Sequence, residues 1–457
     1  MIILDGLITN YNESFLGNIR IENGIISEIG NDITQKNNEE IVNAKGCIIL
    51  PGGIDVHTHF DMPAENCMTS DNFYTGTAAA IAGGTTTVID FAEPDLGSPL
   101  KSGLDTWKLK SNKNSFCDYS FHMTVSHWSD DMDKQIEEML HMGITSFKSY
   151  TAYKDSIGVE DAELEKIMKS CKKNQAILCI HCEDGDKLNE LKSHFKAKDP
   201  TDINNHPKSR PNQVEASAIK KVIKMAETTG ATIYIVHVST SEGLQEIKEA
   251  KNKNISIYAE TCPHYLFLNE NKYMLENFES AKYVMSPPLR HIEDQQALGQ
   301  AIKSDLIDVV STDHCSFNYK GQKELGLHDF TKIPNGIPSV EHRLILMHQY
   351  SETHGISPEK IVEITSYNPA RIFGLLPNKG QISVGADADI VIIKKVPPYE
   401  ITANEQKQCV DYTPYEGICV EHKIKAVYLR GQLVYNGKDV LGSPTGNFIS
   451  RKKNERE

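Results

Sequence analysis

The residues best equipped for chemistry stand at the ends of short β-branched runs. His57 and His59 sit two apart in IDVHTHF. On a strand such a pair points to one side, so two imidazoles converge on one point, an arrangement suited to zinc or a similar divalent ion. The plainer role of a His-x-His pair is two polar residues at a strand end. His181 and His237 close the apolar runs AILCIH and IYIVH. One histidine in such a place is ordinarily a satisfied core residue; several on strand ends that share a rim point to a ligand set. Asp313 closes DVVSTD, and a carboxylate buried there is costly unless it is paired or bound to a metal. Its plainer role is to cap the element that follows. Lys148, in SFKSY, places an ammonium group in an apolar run, where burial and nearby cations lower its pKa. A neutral amine can add carbon dioxide to become a carbamate, whose two oxygens can bridge cations roughly 3.5–4 Å apart. A lysine reaching the surface from a strand end would look the same in sequence.

These residues need elements to aim them. Eight β-branched runs, at 54–59, 86–91, 119–125, 144–150, 176–181, 232–238, 255–261 and 307–313, alternate with helical stretches such as 161–173 and 212–229. That alternation predicts an α/β chain folded as a (β/α)8 TIM barrel, with reactive groups at the C-terminal ends of its strands. His57, His59, Lys148, His181, His237 and Asp313 all fall there. The two chain ends read differently. Residues 1–50 and the stretch after 380 show short alternating runs broken by Asn and Gly, as in β-hairpins. Neither closes a core alone, so the expectation is one β-sandwich built from both termini, 1–50 and 380–457, around a barrel at 51–379.

Composition narrows the class. The chain has 457 residues, 39% hydrophobic and 24% charged, with Gly 30 and Pro 19, which excludes collagen, coiled coil and wholesale disorder. The net charge is −14, so no global basic footprint for nucleic acid exists. Arg451, Lys452 and Lys453 read as a solvated tail. Mean hydropathy is −0.40, no apolar run approaches the length of a membrane span, and the start MIILDGLITN has no basic region ahead of an apolar core, so no signal peptide is expected. Ten scattered cysteines do not make a disulfide framework, which predicts free thiols in a reducing cytoplasm. Cys179 and Cys182 form a Cys-x-x-Cys pair on an apparent buried strand, with no second pair at zinc-ribbon spacing, and read as core.

The ordered set His57-x-His59, Lys148, His181, His237 and Asp313 resembles the binuclear-metal amidohydrolases. Within them the chain resembles the dihydropyrimidinase/hydantoinase family, through PGGIDVHTHFDMP, AGGTTTVIDFAEP, SFKSYTAYKD, IHCEDGD, ETCPHYL, SPPLR, STDHCSF, IPNGIPSVEHR, NPARIFG and GADADIVI. The resemblance spans nearly the whole chain. It implies two divalent metal ions, zinc above all, and a Lys148 carboxylated by carbon dioxide that bridges them. It implies that His57, His59 and Asp313 hold the more buried ion and that His181 and His237 hold the other. Tyr153 would donate a hydrogen bond to the developing oxyanion, and Ser286 and Asn335 would hold the cyclic amide. On the residues alone, Tyr153 is a loop aromatic, Ser286 a cap before Pro287 and Asn335 a turn residue.

The implied reaction is hydrolysis of the ring amide of dihydropyrimidines (dihydrouracil, dihydrothymine) and 5-substituted hydantoins to N-carbamoyl amino acids. A metal-bridging hydroxide would attack, with Asp313 as general base and then acid. A small-molecule cyclic ureide is thus the expected partner, with neither nucleic acid nor membrane, in a homotetramer or dimer and in a pathway such as pyrimidine catabolism. Some positions depart from the family pattern. His264 stands where glutamine is common, Tyr150 and Thr151 where Phe and Met are usual, and the 62–68 loop lacks glycines. Tyr150, Ile157 and that loop are expected to line the pocket for the ring substituent. An allantoinase or other cyclic-ureide hydrolase is the nearest alternative. Phe60-Asp61 replaces the arginine that follows His-x-His in dihydroorotase-like chains. A non-catalytic scaffold relative is the remaining alternative, and the six intact ligand positions argue against it.

Overall fold

A computed structural model of the chain describes residues 1–64 and 66–453; Glu65, in the 62–68 loop, and residues 454–457 lie outside the described residues. Eight strands pair in parallel in chain order, with helices between them. They are Gly53–Thr58, Thr85–Ala92, Asp118–Thr124, Ser146–Tyr150, Ile177–His181, Thr232–Ile235, Ile257–Thr261 and Val309–Val310. The ring closes where Thr58 bridges His314 and the His59 amide donates to the His314 carbonyl at 2.9 Å. Arg343 stitches this seam. Fully buried, it donates to the carbonyls of Ile54 at 2.8 Å and Val310 at 3.0 Å, and to Thr85 Oγ1 at 3.2 Å. A guanidinium can be buried here because both terminal nitrogens are bonded in this way and the Asp55 carboxylate lies 3.9 Å from its Nε.

The helices follow from local signals. Asp161–Asn174 buries Leu164, Ile167, Met168 and Cys171, a stripe at helical spacing, and begins at a Glu160/Glu163 capping box. Asn212–Thr229 follows Pro211 and stops at Gly230, whose φ of 68° is left-handed. Inside the barrel, Ile54, Val56, Ile89, Cys179 and Tyr234 form a cluster with Phe373 and Leu375. Strands Ile2–Thr9, Ser14–Glu22, Ile25–Gly30, Ile41–Asn43 and Cys47–Pro51 join Ile390–Glu400, Cys419–Leu429 and Gln432–Tyr435 in one sheet. The two chain ends meet where Cys47–Pro51 pairs antiparallel with Ile390–Glu400. Ile3, Ile19, Ile49, Ile390 and Ile392 form the core of this unit. The chain is therefore a (β/α)8 barrel with a smaller β-sandwich domain drawn from both termini. No helix among the described residues is long and apolar enough to cross a membrane.

Two expectations need correction. The eighth run, expected at 307–313, is a strand only over Val309–Val310. Thr312 leaves the ladder because its amide and hydroxyl donate to the Asp55 carboxylate at 3.1 and 2.6 Å, and Asp313 then takes a φ of 50°. The tail is not wholly solvated either. Arg451 is buried, donating to Ser120 Oγ at 2.9 Å, Ser146 Oγ at 2.7 Å and the Phe121 carbonyl. Residues 447–449 pair with Tyr119 at the start of the third barrel strand, and this brings Arg451 in. Lys452 and Lys453 remain exposed.

Candidate active site

All nine residues singled out in sequence, His57, His59, Lys148, Tyr153, His181, His237, Ser286, Asp313 and Asn335, line one cavity of about 1060 Å³ at the C-terminal ends of the barrel strands. His57 and His59 leave the first strand, and Asp313 lies just past the eighth. Asp313 Oδ1 is 3.1 Å from His57 Nε2 and 3.3 Å from His59 Nε2. The three offer one donor atom each within 4.8 Å of one another, a group that could hold a metal ion. The other two histidine rings adjoin it: His237 lies 5.5 Å from His57 and 4.6 Å from His181, between ring centres.

Lys148 stands beside this group, 1% exposed on the fourth strand. Its Nζ has no hydrogen bond or ion pair among the described residues; the rings of Phe91 and Tyr150 lie 4.8 and 5.0 Å away. Burial lowers its pKa, against the pull of nearby acidic groups. A buried lysine lacking a carboxylate partner is driven towards the neutral amine, the form that can be carboxylated. Imidazoles and one carboxylate make a donor set fitted to a zinc-class ion. The residues present thus fit a metal at this position.

Charged neighbours tune the site. Burial pulls the His57 imidazole down, but the carboxylates of Asp313 and Glu260 outweigh it and raise it to about 9. His59, with less compensation, is lowered by burial to about 4. Burial opposes ionisation of Asp313, yet His57 and His59 hold its carboxyl well below the usual range. Tyr153, His237 and Asp313 have φ of 59°, 38° and 50°. Non-glycine residues in that region cost free energy, and strain of this kind gathers where geometry serves function.

The structure adds residues that carried no signal of their own in the sequence. Glu260, the last residue but one of the seventh strand, is fully buried; it contacts His57 Nδ1 at 2.7 Å and accepts from Tyr234 Oη at 2.8 Å and the His237 amide at 3.1 Å. Glu183 contacts His181 Nε2 at 2.7 Å and pairs with Arg210, which in turn reaches Tyr153 Oη at 3.4 Å. These carboxylates fix the ring orientation of their histidines. Both stand inside motifs already noted, ETCPHYL and IHCEDGD, but a lone Glu at a strand end has no distinguishing spacing. Ser286 Oγ donates to Asn335 Oδ1 at 2.9 Å, joining the SPPLR and IPNGIP loops. Beneath them, fully buried Lys323 donates to the carbonyls of Val284, Pro334 and Gly336 at 2.8, 2.6 and 2.7 Å. Gly336 has a φ of 143°, and a Cβ there would fall 2.4 Å from the Cys315 carbonyl oxygen. Only glycine lets this loop approach the segment after Asp313 so closely.

Comparison with known proteins places this geometry. The model of the amidohydrolase family matches residues 48–434. The D-hydantoinase of Geobacillus stearothermophilus is 38% identical over 455 residues, covering 99% of this chain and 96% of that protein. The D-hydantoinase of Streptomyces coelicolor is 37% identical over 445 residues, covering 96% of this chain and 95% of that one. The crystal structure of dihydropyrimidinase from Brevibacillus agri superposes with a TM-score of 0.98 at 38% identity, over 100% of this chain and 99% of that chain. With matches that run the length of barrel and sandwich alike, the chain belongs to the amidohydrolase family, in its D-hydantoinase/dihydropyrimidinase group.

Proposed function

We propose that the protein hydrolyses the cyclic amide bond of dihydropyrimidines and 5-substituted hydantoins to N-carbamoyl amino acids. The observation that carries this reading is the gathering of His57, His59 and Asp313 within 4.8 Å, in a cavity that also holds His181, His237 and Lys148, whose Nζ has no hydrogen bond or ion pair among the described residues. The names of the relatives, hydantoinases and a dihydropyrimidinase, support those two ring classes. Two divalent ions, zinc by the donor set, would be held by His57, His59 and Asp313 on one side and by His181 and His237 on the other. Lys148, carboxylated on Nζ, would supply the remaining ligand group from the chain. When bound, such ions acidify water and polarise a carbonyl.

The chain's own groups do the rest. Asp313, whose side chain is 17% exposed to the cavity, takes a proton from the attacking water on its carboxylate and returns it to the leaving ring nitrogen. Its depressed pKa keeps it ionised to begin. Tyr153 Oη donates to the carbonyl oxygen as negative charge builds there, an effect typically worth a few kcal/mol per donor. Arg210 holds that hydroxyl in place. Ser286 and Asn335 grip the ring amide across the joined loops. The ten free cysteines, eight of them wholly or partly buried, support a reducing compartment and hence the cytoplasm.

The test is turnover of dihydrouracil and 5-phenylhydantoin by protein prepared with zinc and bicarbonate, followed by loss of ring absorbance. Opening of either ring supports the reading. Failure to open both, with two ions bound per chain, refutes it and points to another cyclic ureide such as allantoin.

A further inference from the structure

The cavity contains a carboxyl group that the proposed hydrolysis does not use. Glu93 follows the second barrel strand and lines the cavity together with Tyr150, Asn66 and Cys67. Tyr150 Oη donates to Glu93 Oε1 at 3.3 Å, which is the only hydrogen bond of the Glu93 side chain among the described residues. No cation stands within ion-pair distance of it among those residues. Lys148 and Lys110 act on it only through their field, and Lys110 Nζ is occupied by the Asp61 carbonyl at 2.7 Å. Burial pushes the Glu93 carboxyl up to about 7 against these pulls. Glu93 is half-buried in the cavity wall, and a carboxyl there with one long hydrogen bond can take a donor or a cation of a bound molecule as a further partner.

Position says what that partner is. Ser286 and Asn335, which hold the ring amide in the reading above, come from the segments after the seventh and eighth strands. Glu93 and Tyr150 come from the second and fourth, beside the loop that contains Asn66 and Cys67. A ring gripped by Ser286 and Asn335 therefore leaves its carbon substituent to the Glu93 quarter of the rim. Among the described residues that quarter sets Glu93, Tyr150, Asn66 and Cys67 beside the apolar Met62, Pro63 and Ala64, so the stem of a long substituent meets apolar wall while a charged end meets the carboxyl; a purely alkyl or phenyl substituent would strip Glu93 of water without replacing it.

We infer that Glu93, assisted by Tyr150, determines specificity by binding a cationic substituent on the ring, so that the favoured substrates are cyclic ureides bearing an amine or guanidine side chain. Their ring-opened products are N-carbamoyl derivatives of basic amino acids. The inference rests on the hydrolytic reading of the same cavity.

The experiment compares kcat/KM for 5-(4-aminobutyl)hydantoin, 5-butylhydantoin and 5-(2-carboxyethyl)hydantoin, with dihydrouracil as the substituent-free control. A charge-assisted hydrogen bond predicts that the aminobutyl compound exceeds the butyl one by roughly tenfold or more, and that the carboxyethyl compound falls below both. Glu93→Gln should lower the aminobutyl-to-butyl ratio by roughly tenfold. Glu93→Lys should reverse the order of the aminobutyl and carboxyethyl compounds. Butyl equal to or better than aminobutyl in the unaltered protein overturns the inference without any variant, and so does a Glu93→Gln protein that keeps the ratio. Both of those results leave the hydrolytic reading standing. If neither dihydrouracil nor any hydantoin is opened by metal-loaded protein, that reading fails and the inference falls with it.

Discussion

Lys323→Met puts a number on how the substrate loops are held. Burial lowers the Lys323 pKa to about 7, but the carbonyls of Val284, Pro334 and Gly336 surround its fully buried nitrogen and accept all three donors of the charged form. Methionine fills nearly the same volume without donating. Each carbonyl left buried and unpaired costs about 1–3 kcal/mol. Removing the buried charge returns part of that total, so a net loss of about 3 kcal/mol is expected. Unfolding entropy near 2.1 cal/mol/K per residue, for a chain of 457 residues melting as one unit, converts this to a fall in Tm of about 3 °C. The three carbonyls flank Ser286 and Asn335, whose 2.9 Å bond joins the two loops, so KM should rise roughly tenfold while kcat changes by less than about threefold. Calorimetry and steady-state kinetics on the metal-loaded protein measure both. A Tm unchanged within about 1 °C together with an unaltered KM would refute the assignment of Lys323 as the residue that positions these loops.

Further expectations concern the cluster itself. Glu260→Gln keeps the shape but removes the charge against His57 Nδ1, and should weaken zinc binding roughly 10–100-fold in a chelator competition; unchanged affinity would count against its orienting role. Asp313→Asn should keep the unaltered circular dichroism spectrum and lose most turnover, and a correctly metallated variant working near the normal rate would exclude Asp313 as proton carrier. Chelation should abolish ring opening and lower Tm, because a ligand that binds only the folded state stabilises it. Recovery should require zinc and bicarbonate together; full recovery with zinc in bicarbonate-free buffer would rule out a carboxylated Lys148.

Much of this molecule was legible before its structure. The eight barrel strands fall within or beside the β-branched runs, because parallel strands buried on both faces must be apolar nearly throughout. The helix at Asn212–Thr229 has the expected bounds, and in the structure Pro211 and Gly230 set them. The histidines declared themselves by standing where an apolar run stops. What the sequence hid was tertiary. The eighth strand looked seven residues long, but Asp55, some 257 positions away, withdraws Thr312 from the ladder. Glu260, Glu183 and Lys323 are single polar residues whose meaning depends on the groups the fold brings to them. Arg451 lies in a basic stretch that resembles a tail, and only its distant partners Ser120 and Ser146 make it part of the interior. Glu93 is the subtler case: its place at the end of AGGTTTVIDFAEP was visible, but the hydrogen-bond partner of its side chain, Tyr150, is on another strand.

The most direct measurement is the fate of solvent oxygen. Dihydrouracil or 5-phenylhydantoin, incubated with the metal-loaded protein in oxygen-18 water, should give an N-carbamoyl amino acid with one labelled oxygen in its new carboxylate, and unopened ring without label. Mass spectrometry reads both species in one sample. Intact ring after prolonged incubation, or an opened product without the label, would contradict hydrolysis of a cyclic amide in this cavity.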